Sequence, residues 1–377
     1  MNTPHILYDS QIFDAQTLGG ISRYFCEIIP RMNITYDIGL RFTDNVYLQS
    51  RHINRHQFYA PQWIFQKYKQ KITRMNQKYS ISLMKKRSNY LFHATYYDPY
   101  FLSHIGNHPF VITVHDMTYE RLPEYFLPRE VELIYQQKKT LIDRAQRIIA
   151  ISQNTRKDLI EIMGADPNKI DVIYHGTDMK PLSSYPSMNL PEKYVLYVGS
   201  RYKYKNFYRF VRSFAQLAHK DSHLHLMCTG HPFHDTEFQL LETLNITSRT
   251  HCIQASDIEL CTLYHQAQAF VFPSLYEGFG IPILEAYTCQ CPVVLSHSSC
   301  FPEIAGDAGA YFDPTDTNDI ASCLAEVLYH PARRKELVEK GNLRRQLYSW
   351  EQAAQQTAIC YQKALKKPVD NDLNKPS

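Results

Sequence analysis

The chain has 377 residues, 44% of them hydrophobic, and a formal net charge of +4, values that suit two or three globular cores and exclude a disordered or fibrous chain. Nine cysteines include no CxxC pair, which argues against a disulfide frame or zinc knuckle and for reduced thiols in a cytoplasmic protein. No stretch reaches the roughly 18 uninterrupted apolar residues of a membrane span, and "MNTPHILYDSQIF" lacks the basic-then-apolar pattern of a signal peptide.

In chain order, "HILYDS" (5–10) reads as a strand, and "TLGGISRYF" (17–25) places Gly19 and Gly20 immediately before a helix predicted over 20–32. Two glycines there let the backbone approach a ligand and leave helix N–H groups for a phosphate. The spacing is not GxGxxG, and no acid ends the second strand, which disfavours a nicotinamide dehydrogenase. Arg23 faces either a cleft or a tightly packed loop.

Between Asn45 and Tyr97 there are ten bases and no acid, so the rest of the molecule carries −6. Within 63–87, Trp63, Ile64, Tyr68, Ile72, Met75, Tyr79 and Leu83 step by three or four, with Lys67, Lys71, Arg74 and Lys78 beside them. An amphipathic basic helix of this kind either covers a core with a solvated outer stripe or lies on anionic lipid. The charge would also admit nucleic acid, but no recognition motif accompanies it, and no nucleic-acid partner is expected.

"LFHAT" (91–95), "FVITVHD" (110–116), "RIIAIS" (147–152) and "KIDVIYH" (169–175) continue as strands, with a helix predicted over 128–145. "VHDM" puts His115 and Asp116 at a strand's carboxyl end, where open sheets of this class bind ligands. Residues 179–191 hold three prolines and three serines without periodicity, a linker between an N-terminal domain (1–180) and a C-terminal one (181–347). Strands then recur at 193–200, 223–230, 268–274 and 291–296. A last helix over 348–367, with Trp350, Ala354, Ile359 and Tyr361 on its apolar stripe, either caps the second domain or crosses back. The tail at 368–377 is expected to fray. The fold class is α/β, two doubly wound Rossmann-like domains facing across a cleft.

"PSLYEGFGIPILEAYT" (273–288) brackets a glycine-rich turn with Glu277 and Glu285. Pro282 suits the start of a helix, whose free N–H groups near Gly280 to Ile283 would form an anion site. Glu285, expected in the first turn, could accept bonds from a vicinal diol. Taken alone, the two acids read first as a dipole partner and a solvated loop acid, because short motifs match by chance.

This segment resembles the donor motif of retaining glycosyltransferases of GT-B architecture, family four (glycosyl transferases group 1). "VLYVGSRYKYKN", "ISQNTRKDL", "VIYHGTD" and "FPEIAGDAGAYFDP" match the family in the same order over most of the chain. The resemblance implies that Glu285 holds the nucleotide ribose and that Glu277 lies beside the transferred sugar. It assigns the backbone of Phe279, Gly280 and Ile281 to sugar hydroxyls and phosphate, and His115 to the sugar. Asp116 would orient His115 or contact the acceptor. Gly19 and Gly20 join the donor site, as do Gly199 and Lys205, the phosphate lysine. The family often has arginine directly after that glycine; here Ser200 intervenes before Arg201.

With no Asp-x-Asp at a strand end and no histidine–carboxylate cluster at metal spacing, neither a metal nor another cofactor is expected. The resemblance implies a nucleotide-sugar donor (GDP-mannose as first guess) and a glycan or lipid-linked acceptor in cell-surface polysaccharide assembly. The setting would be the cytoplasm, with docking on the inner membrane face added if the basic helix binds lipid. The rival of a different class is a non-catalytic nucleotide-sugar sensor or scaffold. A pyridoxal-phosphate phosphorylase would need a lysine site that is not evident.

Overall fold

The computed structural model describes residues 5–51, 53 and 58–366; the tail predicted at 368–377 lies outside the described residues, as does Arg55 of the basic segment. The first part of the chain forms β1 (Ile6–Tyr8), β2 (Tyr36–Ile38), a short pair β3 (Phe42–Thr43) and β4 (Phe58–Tyr59), β5 (Leu91–Ala94), β6 (Phe110–Val114), β7 (Arg147–Ala150) and β8 (Ile170–Val172). The second part forms β9 (Lys193–Tyr197), β10 (Leu224–Thr229), β11 (Thr250–Ile253), β12 (Ala269–Phe272), β13 (Val293–Ser296) and β14 (Gly309–Phe312). Runs such as "FVITV" and "AFVF" are buried at every position, as strands covered by helices on both faces must be.

Two parallel sheets result, ordered β2-β1-β5-β6-β7-β8 and β11-β10-β9-β12-β13-β14. Strand order reverses between β1 and β5 in the first and between β9 and β12 in the second. Such reversals open crevices at the carboxyl ends of the strands. In the first sheet that crevice is filled by its own side chains: Asp9 accepts from the Thr95 N–H at 3.0 Å and from Gln11 Nε2 at 2.6 Å. The second sheet keeps its crevice for the loops after β9 and β12.

Helix Trp350–Leu365 returns to the first sheet. Its buried stripe is Trp350, Ala353, Ala354, Thr357, Cys360, Tyr361 and Ala364; Tyr361 Oη meets Tyr8 Oη at 2.8 Å and His93 Nδ1 at 2.7 Å. Ile359, assigned to that stripe from sequence, is 44% exposed instead. The return passes over Gly176, where a Cβ would stand 2.3 Å from the Trp350 backbone nitrogen.

The basic segment forms helices Gln62–Lys67 and Lys69–Lys86, broken at Tyr68. The longer helix buries Ile72, Asn76, Ser80 and Met84, so the inward stripe is offset from the apolar one read in the sequence. Asn76 explains the offset: its Oδ1 accepts from the Arg41 and Phe42 N–H groups at 2.9 and 3.1 Å, and its Nδ2 donates to Asp14 at 2.6 Å. Met75, Tyr68 and Trp63 are left exposed beside Lys67, Lys71, Arg74 and Lys78. Among the described residues, no helix is long and apolar enough to cross a membrane.

Candidate active site

The loops after β9 and β12 meet the carboxyl end of β6 across a cleft of about 350 Å³. From the second lobe Gly199, Lys205, Glu277, Phe279, Gly280 and Ile281 line it; from the first come Gly20, His115 and Asp116. At Gly280 the backbone turns left-handed, with φ +90, a conformation glycine adopts at little cost. Helix Ile281–Thr288 starts there. Pro282 has no N–H, and the Ile283 N–H donates to the Gly280 carbonyl at 2.9 Å. Of the N–H groups expected from sequence near Gly280 to Ile283, those of Gly280 and Ile281 are left for an anion.

Lys205 Nζ lies 2.6 Å from Glu277 Oε1. Burial opposes the lysine's charge, but the Glu277 carboxylate and the Tyr204 phenol outweigh it and raise its pKa. The ammonium is therefore held charged in a partly desolvated cleft. Glu277 is itself held from behind, its N–H donating to Ser299 Oγ at 3.1 Å. At Gly278 the lobes nearly touch, since a Cβ there would stand 1.8 Å from the His115 carbonyl oxygen.

His115 is 6% exposed, and burial, with His93 and Lys138 adding to it, lowers its pKa to about 3. The ring is neutral at physiological pH, and its Nε2 is buried without a hydrogen-bond partner among the described residues. Asp116 does not orient it: Asp116 Oδ1 accepts from the Thr118 N–H at 3.0 Å. The buried Lys138–Glu120 pair, 3.1 Å apart, secures this turn through a 3.0 Å bond from Lys138 Nζ to the Asp116 carbonyl.

Three residues named from sequence lie off the cleft wall. Gly19 packs on Gln16, whose Oε1 accepts the Ser22 N–H at 3.0 Å and so occupies one of the helix N–H groups expected to be free. Arg201 turns inward. Its Nε binds Glu237 at 2.9 Å, its Nη2 donates to the His231 and Pro232 carbonyls, and the Phe233 ring lies 4.8 Å from the guanidinium; Ser200 takes the place on the cleft.

Glu285 is 4% exposed. It falls beyond the first turn of its helix, because that helix begins at Ile281. Its Oε1 accepts from Arg23 Nη1 at 3.0 Å and its Oε2 from the Tyr264 hydroxyl at 3.4 Å. Burial raises its pKa and Arg23 offsets the rise. Arg23 neither lines the cleft nor packs a loop; it bridges the lobes, also pairing with Asp178, which Arg51 contacts at 2.6 Å.

Sequence reasoning missed several members of this neighbourhood. His175, within the quoted "VIYHGTD", lines the cleft. Asp178 and Arg51 complete the bridge to Arg23. Glu303 accepts the N–H groups of Gln153 and Asn154 at 2.6 and 3.0 Å, capping a first-lobe helix from the second lobe. His175, Asp178 and Glu303 lay within quoted motifs; Arg51 carries no local signal.

The family described as Glycosyltransferase Family 4 matches residues 19–180, and that described as Glycosyl transferases group 1 matches 186–344. The O-antigen chain mannosyltransferase B of Escherichia coli is 28% identical over 291 residues, 72% of this chain and 74% of that protein. The O-antigen chain mannosyltransferase RfbU of Salmonella typhimurium strain LT2 is 27% identical over 220 residues, 57% of this chain and 60% of that one. Among solved structures, the sucrose-phosphate synthase of Thermosynechococcus elongatus superposes with a TM-score of 0.73 at 21% identity, covering 96% of this chain and 99% of the other. Anabaena HepE in complex with UDP and glucose gives 0.73 at 18% identity, with 96% and 100% covered. The paired domain matches and the two facing sheets place the chain in glycosyltransferase family four, with GT-B architecture.

Proposed function

We propose that this protein transfers a hexose, mannose first among candidates, from a nucleoside-diphosphate sugar to a glycan or lipid-linked acceptor in cell-surface polysaccharide assembly, with retention at the anomeric carbon and no metal. The observation that carries the reading is the Lys205–Glu277 pair at 2.6 Å, set at the second sheet's crevice and facing His115 across the cleft. The mannosyltransferase names of the two bacterial relatives support the sugar, and the UDP bound by Anabaena HepE supports a nucleotide donor.

The chemistry asked of these residues is electrostatic. As the anomeric carbon–oxygen bond breaks, charge grows on the diphosphate, and Lys205 with the helix N–H groups at Gly280 and Ile281 would stabilise it in a low-dielectric site. Glu277 carries the negative charge suited to the developing oxocarbenium. Glu285 would accept the ribose diol once Arg23 releases it. The acceptor hydroxyl attacks from the departing side, and its proton passes to a diphosphate oxygen, so no side chain is needed as base. Among the described residues, no group of three or more His, Cys, Asp or Glu is placed to hold a metal ion, and Lys205 with the Gly280 and Ile281 N–H groups would take on charge neutralisation.

Incubation with radiolabelled UDP-, GDP-, ADP- and dTDP-hexoses and an extracted lipid fraction tests the proposal. Transfer or donor hydrolysis with one of them, retained in excess chelator, is expected. Nucleotide-sugar binding without turnover would instead mark a sensor.

A further inference from the structure

We infer that His175 determines sugar specificity in this cleft, reading a hydroxyl of the transferred hexose alongside His115; the inference rests on the transferase reading above. His175 lies just beyond β8, in the connection between the two lobes, and lines the same cleft as His115 and Glu277. The two imidazole centroids are 6.1 Å apart. Aromatic rings from three elements fix the His175 ring: Tyr24 at 4.8 Å, Phe279 at 5.0 Å and Trp350 at 5.3 Å. Phe279 belongs to the glycine-rich loop and Tyr24 to helix Gly20–Arg31 of the first lobe, so the ring is held by both lobes at once.

A ring so clamped would ordinarily have its nitrogens bonded, because leaving a buried polar atom unmet is costly. His175 Nδ1 is nevertheless buried without a partner among the described residues, as is His115 Nε2. Burial, reinforced by His115, holds the His175 pKa well below the ordinary histidine value. A neutral imidazole has one donor nitrogen and one acceptor, and the bond made by one nitrogen decides the role of the other. With that bond unmade, His175 can take either tautomer. A hydroxyl also both donates and accepts, so it is the group two such rings suit. A phosphate calls for cations and N–H donors, and the cleft supplies those separately, from Lys205 and the start of helix Ile281–Thr288.

The test takes whichever nucleotide hexose the wild-type protein turns over and compares it with its 2-, 3-, 4- and 6-monodeoxy forms. A site that bonds a hydroxyl rejects the analogue lacking it strongly, so the wild type should lose at least about a hundredfold in kcat/KM on one analogue. His175→Phe should lose a similar factor on the parent donor yet no longer distinguish that analogue from it, the non-additivity that marks a direct contact. His175→Gln, which keeps a donor and an acceptor, should recover part of the discrimination. Nucleoside-diphosphate affinity within about twofold of wild type would show both variants folded with that part of the site intact. Unaltered discrimination by His175→Phe across all four analogues overturns the inference alone. Failure of the wild type to turn over any nucleotide hexose overturns the transferase reading and this inference with it.

Discussion

Arg23 Nη1 stands 3.0 Å from Glu285 Oε1, although 262 positions separate them in the chain. The same guanidinium pairs with Asp178, so the bridge ties the first lobe to the helix that follows the glycine-rich loop. Burial alone would favour a protonated Glu285, and Arg23 is what makes its ionised form tolerable. Removing one partner of such a pair typically costs about 3–5 kcal/mol. Arg23→Ala should therefore be strongly destabilised, and Glu285→Gln on that background should restore much of the loss. The pH dependence follows from the raised carboxyl pKa. A group whose folded pKa exceeds its unfolded value contributes stability below the unfolded pKa and loses it as pH rises through the folded one. Arg23→Ala raises the folded value further, so its deficit against wild type should widen from pH 5 to pH 8 in urea denaturation. A constant deficit, or one that shrinks toward pH 8, would contradict this.

Glu277 and Lys205 neutralise each other at 2.6 Å, yet the proposal gives them different tasks. Glu277→Gln keeps the shape and removes the charge needed as the sugar becomes cationic. Transfer should fall by about 10²–10³-fold, the scale of losing one electrostatic contact to a transition state, while nucleotide affinity stays near wild type. Lys205→Met should weaken nucleoside-diphosphate binding and lower kcat as well. Calorimetric titration with the nucleotide, paired with steady-state turnover, separates the two. Wild-type turnover in Glu277→Gln would remove that residue from the chemistry.

Gly278 tests how closely the lobes must meet. A methyl group there would sit 1.8 Å from the His115 carbonyl oxygen, a backbone atom that cannot rotate away. Gly278→Ala should push the lobes apart without disturbing either sheet, and misplacement by about 1 Å can cost roughly 10²-fold in rate. The expected signature is a large fall in kcat/KM with little change in far-ultraviolet circular dichroism. Activity within twofold of wild type would mean that the lobes need not close this far.

What could be read from the sequence was local, and what could not was long-range. The loops after β9 and β12 were legible because glycine, lysine, proline and glutamate fall within a few residues of each other, and backbone conformation follows from such neighbours. Arg201 was not: its partners Glu237, His231 and Phe233 come from a later connection, and only the fold brings their acceptors and ring around the guanidinium. Asn76 defeated the apolar periodicity for a related reason. Two strand-edge N–H groups need an acceptor, so a polar side chain is drawn inward and Met75 is turned out. In the last helix, likewise, Cys360 is buried and Ile359 faces out.

The outward face of helices Gln62–Lys67 and Lys69–Lys86 supplies the last prediction. Trp63 is 68% exposed and Tyr68 48%, and the exposed Lys67, Lys71, Arg74 and Lys78 lie nearby. Amphipathic aromatic side chains favour the headgroup level of a bilayer, and each basic residue near an anionic surface contributes about 1 kcal/mol. A transferase acting on a lipid-linked acceptor would gain from holding its first lobe there. Wild-type protein should float with vesicles containing phosphatidylglycerol and not with pure phosphatidylcholine, and raised salt should release it. Changing Lys71, Arg74 and Lys78 together to alanine should weaken binding roughly a hundredfold, and Trp63→Ala should weaken it further. Neither change touches the buried stripe of Ile72, Asn76, Ser80 and Met84, so turnover of a water-soluble acceptor should survive both. Equal flotation with neutral and anionic vesicles, or preferential capture of single-stranded RNA over either, would assign this face to something other than an anionic membrane.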